Sequence, residues 1–438
     1  MDGKKSDIKE AKNQTKMAEK MTFTNQINGT YLDHVILSNG TGVHIAHQTY
    51  EILKKYNSTE SLLSVHSDGC VIHCGHRKGA IRHLENILNR PLQYLICALH
   101  LCELVFEKLF KHIDGGLTGP DSYSGPIGAQ ISRKGGLQRA PMANFNPIVS
   151  QVPEVEEEYL NNNDVKKFYV MCQIIHNGPK NVTKAQMSSF QGHLGRVNSA
   201  RWVTSCTNTL AYYAQTENPS DELILIVKII LNLYGPVLFS IKKNWQFFMG
   251  TKHYFKILTL SRDLLQTNYP ELHNLVLSTL TTNFYYSHPE SILCCMLFDS
   301  DEKINKQAID VIIDVRNRQE KSQNKNVRQF RRPKDHQINF NATNYFNLVN
   351  FKDFTLKCFN SPPILSTMTV QQIKEKAFDP EILSLSCHSQ SVEKAVYLTS
   401  LAAENVIGQE FRHSYVINKE KCVKKFKKSD CIQHIKKD

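Results

Sequence analysis

The chain has 438 residues, 41% of them hydrophobic and 21% charged, which excludes a wholly disordered polypeptide and leaves room for two or three domains. Its 53 Lys and Arg outnumber 41 Asp and Glu, a formal net charge of +12; such a surplus favours polyanionic partners, because each cation set against a phosphate releases condensed counterions. Twelve cysteines without a disulfide-rich spacing, behind a polar opening segment with no apolar signal core, point to reduced thiols in the cytosol or nucleus.

In chain order, residues 1–24 are charged and expected to be disordered. Tyr31 to Leu37 reads as a strand ending in the turn Ser38-Asn39-Gly40-Thr41-Gly42. Val43, Ala46, Tyr50 and Leu53 then recur at helical spacing up to Tyr56. A buried strand, Ser61 to Val65, finishes at Ser67-Asp68-Gly69; a helix from Gly79 to Leu88 follows, and then an apolar run, Leu92 to Ala98. Strand, helix, strand, helix, strand implies parallel pairing, so the first part reads as α/β.

Pro, Gly and Ser between Gly115 and Pro147 suggest a long connecting loop. From Glu156 to Arg318 nearly every segment has helical periodicity, with no repeat period. Leu223 to Ile241 is apolar enough to suggest a membrane span, but it holds Lys228 and Asn232 and meets Gly235-Pro236. It is therefore read as a buried helix, broken there and followed by a short element, with no membrane as partner. Arg316, Arg318, Lys321, Lys325, Arg328, Arg331, Arg332 and Lys334 make a cationic stretch, a flexible loop that either contacts nucleic acid or is merely solvated. A helix from Ser391 to Ile407 and a basic tail close the chain. Lys424-Lys425-Phe426-Lys427-Lys428 has the composition of a nuclear import signal.

Asp68 is the chemically suggestive acid. It stands where an apolar strand meets a glycine, and ligands of open α/β sheets sit beyond the carboxyl ends of strands. A turn aspartate bonding its own backbone is the structural alternative. Cys70, His73, Cys74 and His76 are zinc-like types too crowded to wrap one ion tetrahedrally, and Cys97 with His100 fits a packed thiol and a helix-entry histidine.

Five blocks in order carry a family resemblance. They are Val65-His66-Ser67-Asp68-Gly69-Cys70 with Gly75-His76-Arg77-Lys78-Gly79; the run from Arg90 to Leu104, containing Cys97 and His100; His112-Ile113-Asp114-Gly115 with Thr118-Gly119-Pro120; Ser199-Ala200-Arg201-Trp202-Val203-Thr204; and Cys387-His388-Ser389-Gln390-Ser391-Val392-Glu393-Lys394. Together they resemble hAT-like DNA transposases, closest to a transposon-derived animal group.

The resemblance implies a ribonuclease H-like mixed sheet interrupted by a large helical domain, that is, α/β plus an all-α insertion. In that family three acids hold two divalent ions for phosphodiester cleavage and strand transfer. Asp68 and Glu393 match by position, 393 − 68 = 325 residues apart, and would hold Mg2+. Asp2, in Asp2-Gly3-Lys4-Lys5, resembles the first acid, although Met1 directly precedes it; Asp33 is a rival without a family match. A glutamate capping its own helix is the structural alternative for Glu393. Arg201 and Trp202 match the Arg-Trp signature at the entry to the insertion, where Trp202 either stacks on a base or packs in the core. With Arg328, Arg331 and Arg332 they are the expected DNA-binding residues.

The organisation expected is a ribonuclease H-like domain from 25–130 and 380–415, a helical insertion at 150–375 carrying the cationic loop 316–336, and a basic tail at 416–438. DNA is the partner expected, homo-oligomerisation an open option and the nucleus the location. A non-enzymatic DNA- or protein-interaction scaffold is the alternative function.

Overall fold

The computed structural model describes residues 2–10, 14–25, 30–62, 64–67, 69–75, 77–90, 92–119, 122–131, 141–160, 163–191, 201–244, 246–319 and 337–353. The charged N-terminal residues, expected to be disordered, form strands β1 (Asp2–Glu10) and β2 (Gln14–Asn25). β3 (Thr30–Leu37) continues an antiparallel sheet in the order β1-β2-β3. β2 and β3 are too close in sequence for a parallel crossover, which needs a dozen or more residues, and they pair antiparallel. Met21, Phe23 and Leu37 from this sheet pack with Ile45 and Ile52 of α1 (Gly42–Lys55) and with Ala80. Thr41 caps α1 by accepting from the amide of His44.

β4 (Ser64–Ser67) and β5 (Gln93–Ile96) pair in parallel across the connection formed by α2 (Val71–Cys74) and α3 (Ala80–Leu88). Arg90 donates to the carbonyls of Thr59 and Leu62, each at 2.6 Å, tying the end of that crossover to the turn before β4. β6 (Leu117–Gly119) and β7 (Ser122–Tyr123) form a third ladder.

The expected ribonuclease H-like mixed sheet is not what the described residues form. Their strands fall into three separate ladders of three, two and two, and helix predominates. β4 and β5 are only four residues long and form a ladder of two; the apolar side chains that would have covered a wide sheet are spent on helix packing instead.

The core is centred on α4 (Ala98–Asp114), whose Leu101, Cys102, Val105, Phe106, Leu109 and Phe110 are buried. Around it lie α9 (Asp221–Ile229), α10 (Gly235–Lys243), α11 (Gly250–Leu265) and α12 (Pro270–Thr282). α5 (Pro126–Ile131), α6 (Asn163–Asn177), α7 (Lys184–Gln191) and α8 (Arg201–Ala214) pack together, α8 against α9, while α13 (Pro289–Leu297) packs on α11 and on α14 (Glu302–Gln319). One contiguous apolar cluster runs from Val65 and Ile96 through α4 to Leu348.

Gly235-Pro236 does not break the apolar helix. Residues Ile230–Tyr234 widen into a π turn, and helix continues on both sides; a wider turn relieves the clash of a proline ring with the preceding carbonyls. Asp221–Lys243 is long and apolar enough to cross a membrane, with 72% of its most apolar window buried inside the protein.

The expected long loop is also more structured than its composition suggests. Residues 141–156 form a strap across the helices, with amides of Ala143, Ile148 and Gln151 donating to the carbonyls of Ala214, Ile175 and Leu231. The hydroxyl of Tyr213 and the side-chain amide of Asn232 bond back to the strap carbonyls of Asn146 and Val149. Such partners let irregular backbone lie against a core.

Candidate nucleic-acid interface

The carboxyl ends of β4 and β5 form the rim at which sequence reasoning placed the chemistry. Ser67 faces Ile96 in register, and its carbonyl accepts the amide of Cys97 at 3.2 Å. Gly69 has φ +84, and a Cβ there would stand 2.8 Å from Cγ2 of Ile96. Both the backbone region and the close approach require glycine. Ser67 Oγ lies 2.9 Å from Cys74 Sγ, and Cys70 Sγ lies 3.3 Å from His73 Nδ1. Of the zinc-like types, Cys74 is therefore engaged with Ser67 and Cys70 with His73, while His76 lies outside the described residues; no group of three metal-ligating side chains occurs among the described residues.

Two residues that sequence reasoning missed cover this rim. The Tyr285 hydroxyl donates to the carbonyl of Cys74 at 2.6 Å, and that of Tyr286 donates to the carbonyl of Ile96. Both are buried. The aromatic run Phe284-Tyr285-Tyr286 beyond α12 was their only sequence signal. They fasten the helical half of the molecule to the parallel strands.

Asp68 and Glu393 lie outside the described residues, as do Arg328, Arg331, Arg332, the helix expected from Ser391 and the basic tail. Asp2 opens β1, opposite Thr22, rather than following a strand. The rival Asp33 is engaged by Lys55, with Nζ 2.7 Å from Oδ2. Arg201 begins α8. Trp202 is 9% exposed, its ring edge-on to Phe106 at 5.6 Å and tilted against Phe110 at 6.4 Å. Of the two roles considered for Trp202, this packing fits the core one. Cys97 is the buried N-cap residue of α4, and His100 Nδ1 lies 3.8 Å from Glu103.

Asp114, within the block His112-Ile113-Asp114-Gly115, is structural. Its two carboxylate oxygens accept the amides of Ile127 and Gly128 at 2.8 and 2.6 Å, capping α5 from a distance. Burial pushes its pKa up, and the two amides oppose that. Asp299 joins Lys252, at 2.9 Å, and the hydroxyl of Tyr345, pinning residues 337–353 to α11 and α13. Burial works to raise the Asp299 carboxyl, but the bonds from Tyr345 and Lys252 outweigh it and hold the group low.

Cationic groups continue through the helical half. α14 carries Lys303 and Lys306 and leads into the run that begins at Arg316. No protein-family model, curated protein or solved structure matches the chain.

Proposed function

We propose that the chain is a transposon-derived DNA-binding protein that holds duplex DNA chiefly through its phosphates. The observation that carries this reading is the cationic surplus. The net charge is +12, and eight Lys and Arg fall between Arg316 and Lys334 against the single acid Glu320. Cations in that density neutralise phosphates and release counterions whatever the base sequence. The five ordered blocks that resemble hAT-like transposases support DNA as the polyanion and the nucleus as the compartment. Arg201, Arg328, Arg331 and Arg332 are the contacts proposed; Trp202 is left to the core.

Strand cleavage is a separate expectation. It would use Mg2+ held by the carboxylates of Asp68 and Glu393, with Asp2 as third acid, and binding does not depend on it. The test is a salt series of duplex affinity for the full chain. Changing Arg328, Arg331 and Arg332 together to Ala should flatten the dependence of log K on log salt by roughly 2 to 3 units. An unchanged slope removes the loop from the interface. Adding Mg2+ to the same duplex reports cleavage independently, and Asp68→Asn should abolish any that appears.

A further inference from the structure

Resting on the reading of the chain as a DNA-binding protein, we infer that the turn formed by residues 69–75 and 77–79 is a wedge for duplex DNA. Val71 and Ile72 press against a base step while Arg77 and Lys78 hold the flanking phosphates.

Val71 is 76% exposed and Ile72 49%, adjacent to each other on the four-residue helix α2. Isolated surface apolar residues are ordinary, but this contiguous pair is left uncovered by the described residues. Val43, 45% exposed, extends the patch. It follows Gly42, where a Cβ would overlap the carbonyl of Lys78, so the start of α1 and the end of the turn are in contact. Arg77 and Lys78 are exposed, and neither is in an ion pair among the described residues. No acidic residue occurs from Gly69 to Leu84.

Hydrogen bonds hold the described residues of the turn in place. The amides of Cys74, Gly75 and Gly79 donate to the carbonyls of Cys70, Val71 and Gly75 at 2.8 to 2.9 Å. Cys70 bonds His73, and Tyr285 anchors the carbonyl of Cys74. A tip already fixed in shape loses little entropy on binding.

Charge complementarity selects a polyanion, and the apolar tip selects one whose charged groups border an apolar stack. Duplex DNA presents both: inserted Ile-type side chains wedge between base steps while Arg and Lys take the backbone. Two β-branched side chains on one helical turn offer too little apolar area for stable residence in a bilayer, which takes a longer amphipathic face.

The experiment uses the full chain and a duplex of about two helical turns carrying a central 2-aminopurine, whose fluorescence rises on unstacking. Wild type should raise that fluorescence. Val71→Ser with Ile72→Ser should abolish the rise and weaken binding about tenfold, with the salt slope unchanged. Arg77→Ala with Lys78→Ala should flatten the slope by about 2 units. The serine sites face solvent, and circular dichroism confirms that the variant is folded.

If the serine variant binds and unstacks DNA like wild type, the wedge is overturned and the broader DNA-binding reading stands. If wild type fails to bind duplex DNA, both fall. Loss of self-association, or of binding to phosphatidylserine vesicles, in the serine variant with DNA affinity intact would reassign the patch to a protein or membrane contact and overturn the wedge.

Discussion

Asp114 shows how a single side chain can resemble a functional residue while serving the fold. A buried carboxylate in a chain with suspected catalytic acids invites a chemical role, yet both its oxygens are committed to the amides of Ile127 and Gly128. Asp114→Ala leaves two buried donors without acceptors and should lower unfolding stability by about 1–3 kcal/mol per orphaned amide, measurable as a shift in the urea midpoint; Asp114→Asn should fall between. A variant as stable as wild type would remove the capping role. His253 gives the residue-scale pH dependence. Its Nε2 donates to the carbonyl of Asn244 at 2.8 Å, and burial depresses its pKa to about 4. His273 is also depressed, by burial and then by Arg262. Between the ordinary value of 6.5 and about 4 the unfolded chain binds the proton that folded His253 refuses. Stability is therefore fully present above that window and lost as pH falls through it. His253→Gln should flatten the pH profile of the unfolding midpoint between those values. A profile identical to wild type would exclude His253 as the titrating group.

At the scale of elements, the signals that survived were local ones. The helical spacing of Val43, Ala46, Tyr50 and Leu53 marks α1, although the face buried is that of Ile45, Ala46, Thr49 and Ile52, and Leu92 to Ala98 contains β5, because helices and short apolar strands write themselves into nearby residues. Parallel pairing of β4 with β5 followed from the helix between them. The polar composition of residues 1–24 concealed two strands, since an antiparallel hairpin satisfies its backbone whatever its side chains. The strap at 141–156 was hidden for a related reason: its partners are carbonyls and side chains far away in sequence. Sheet breadth was misjudged because the number of strands joining a sheet is a long-range property that alternation does not encode. At the rim, the glycine after the strand was legible, and the lid of Tyr285 and Tyr286 was not. The π turn offers an element-scale test. In an ordinary helix Gly→Ala stabilises by roughly 0.5–1 kcal/mol. At Gly235 a Cβ would stand 2.7 Å from Cγ2 of Val152 and 3.0 Å from the carbonyl of Ile230. Gly235→Ala should therefore destabilise, with a lower melting temperature; a rise would show that the strap and helix do not meet this closely.

At the scale of the molecule, one apolar cluster links the short parallel strands to the helices, with α4 at its centre and Tyr285 and Tyr286 joining the two halves by hydrogen bonds. Cys74, which ends the helix carrying Val71 and Ile72, belongs to that cluster, so the turn is packed against the core. The proposed role rests on a basic chain using its charge to hold nucleic acid. The most direct measurement is the affinity of the full chain for an arbitrary duplex at rising salt. For a phosphate-held duplex, log K should fall linearly with log salt, with a slope of several units whatever the base sequence. Absent binding at low salt, or an affinity indifferent to salt, would contradict it.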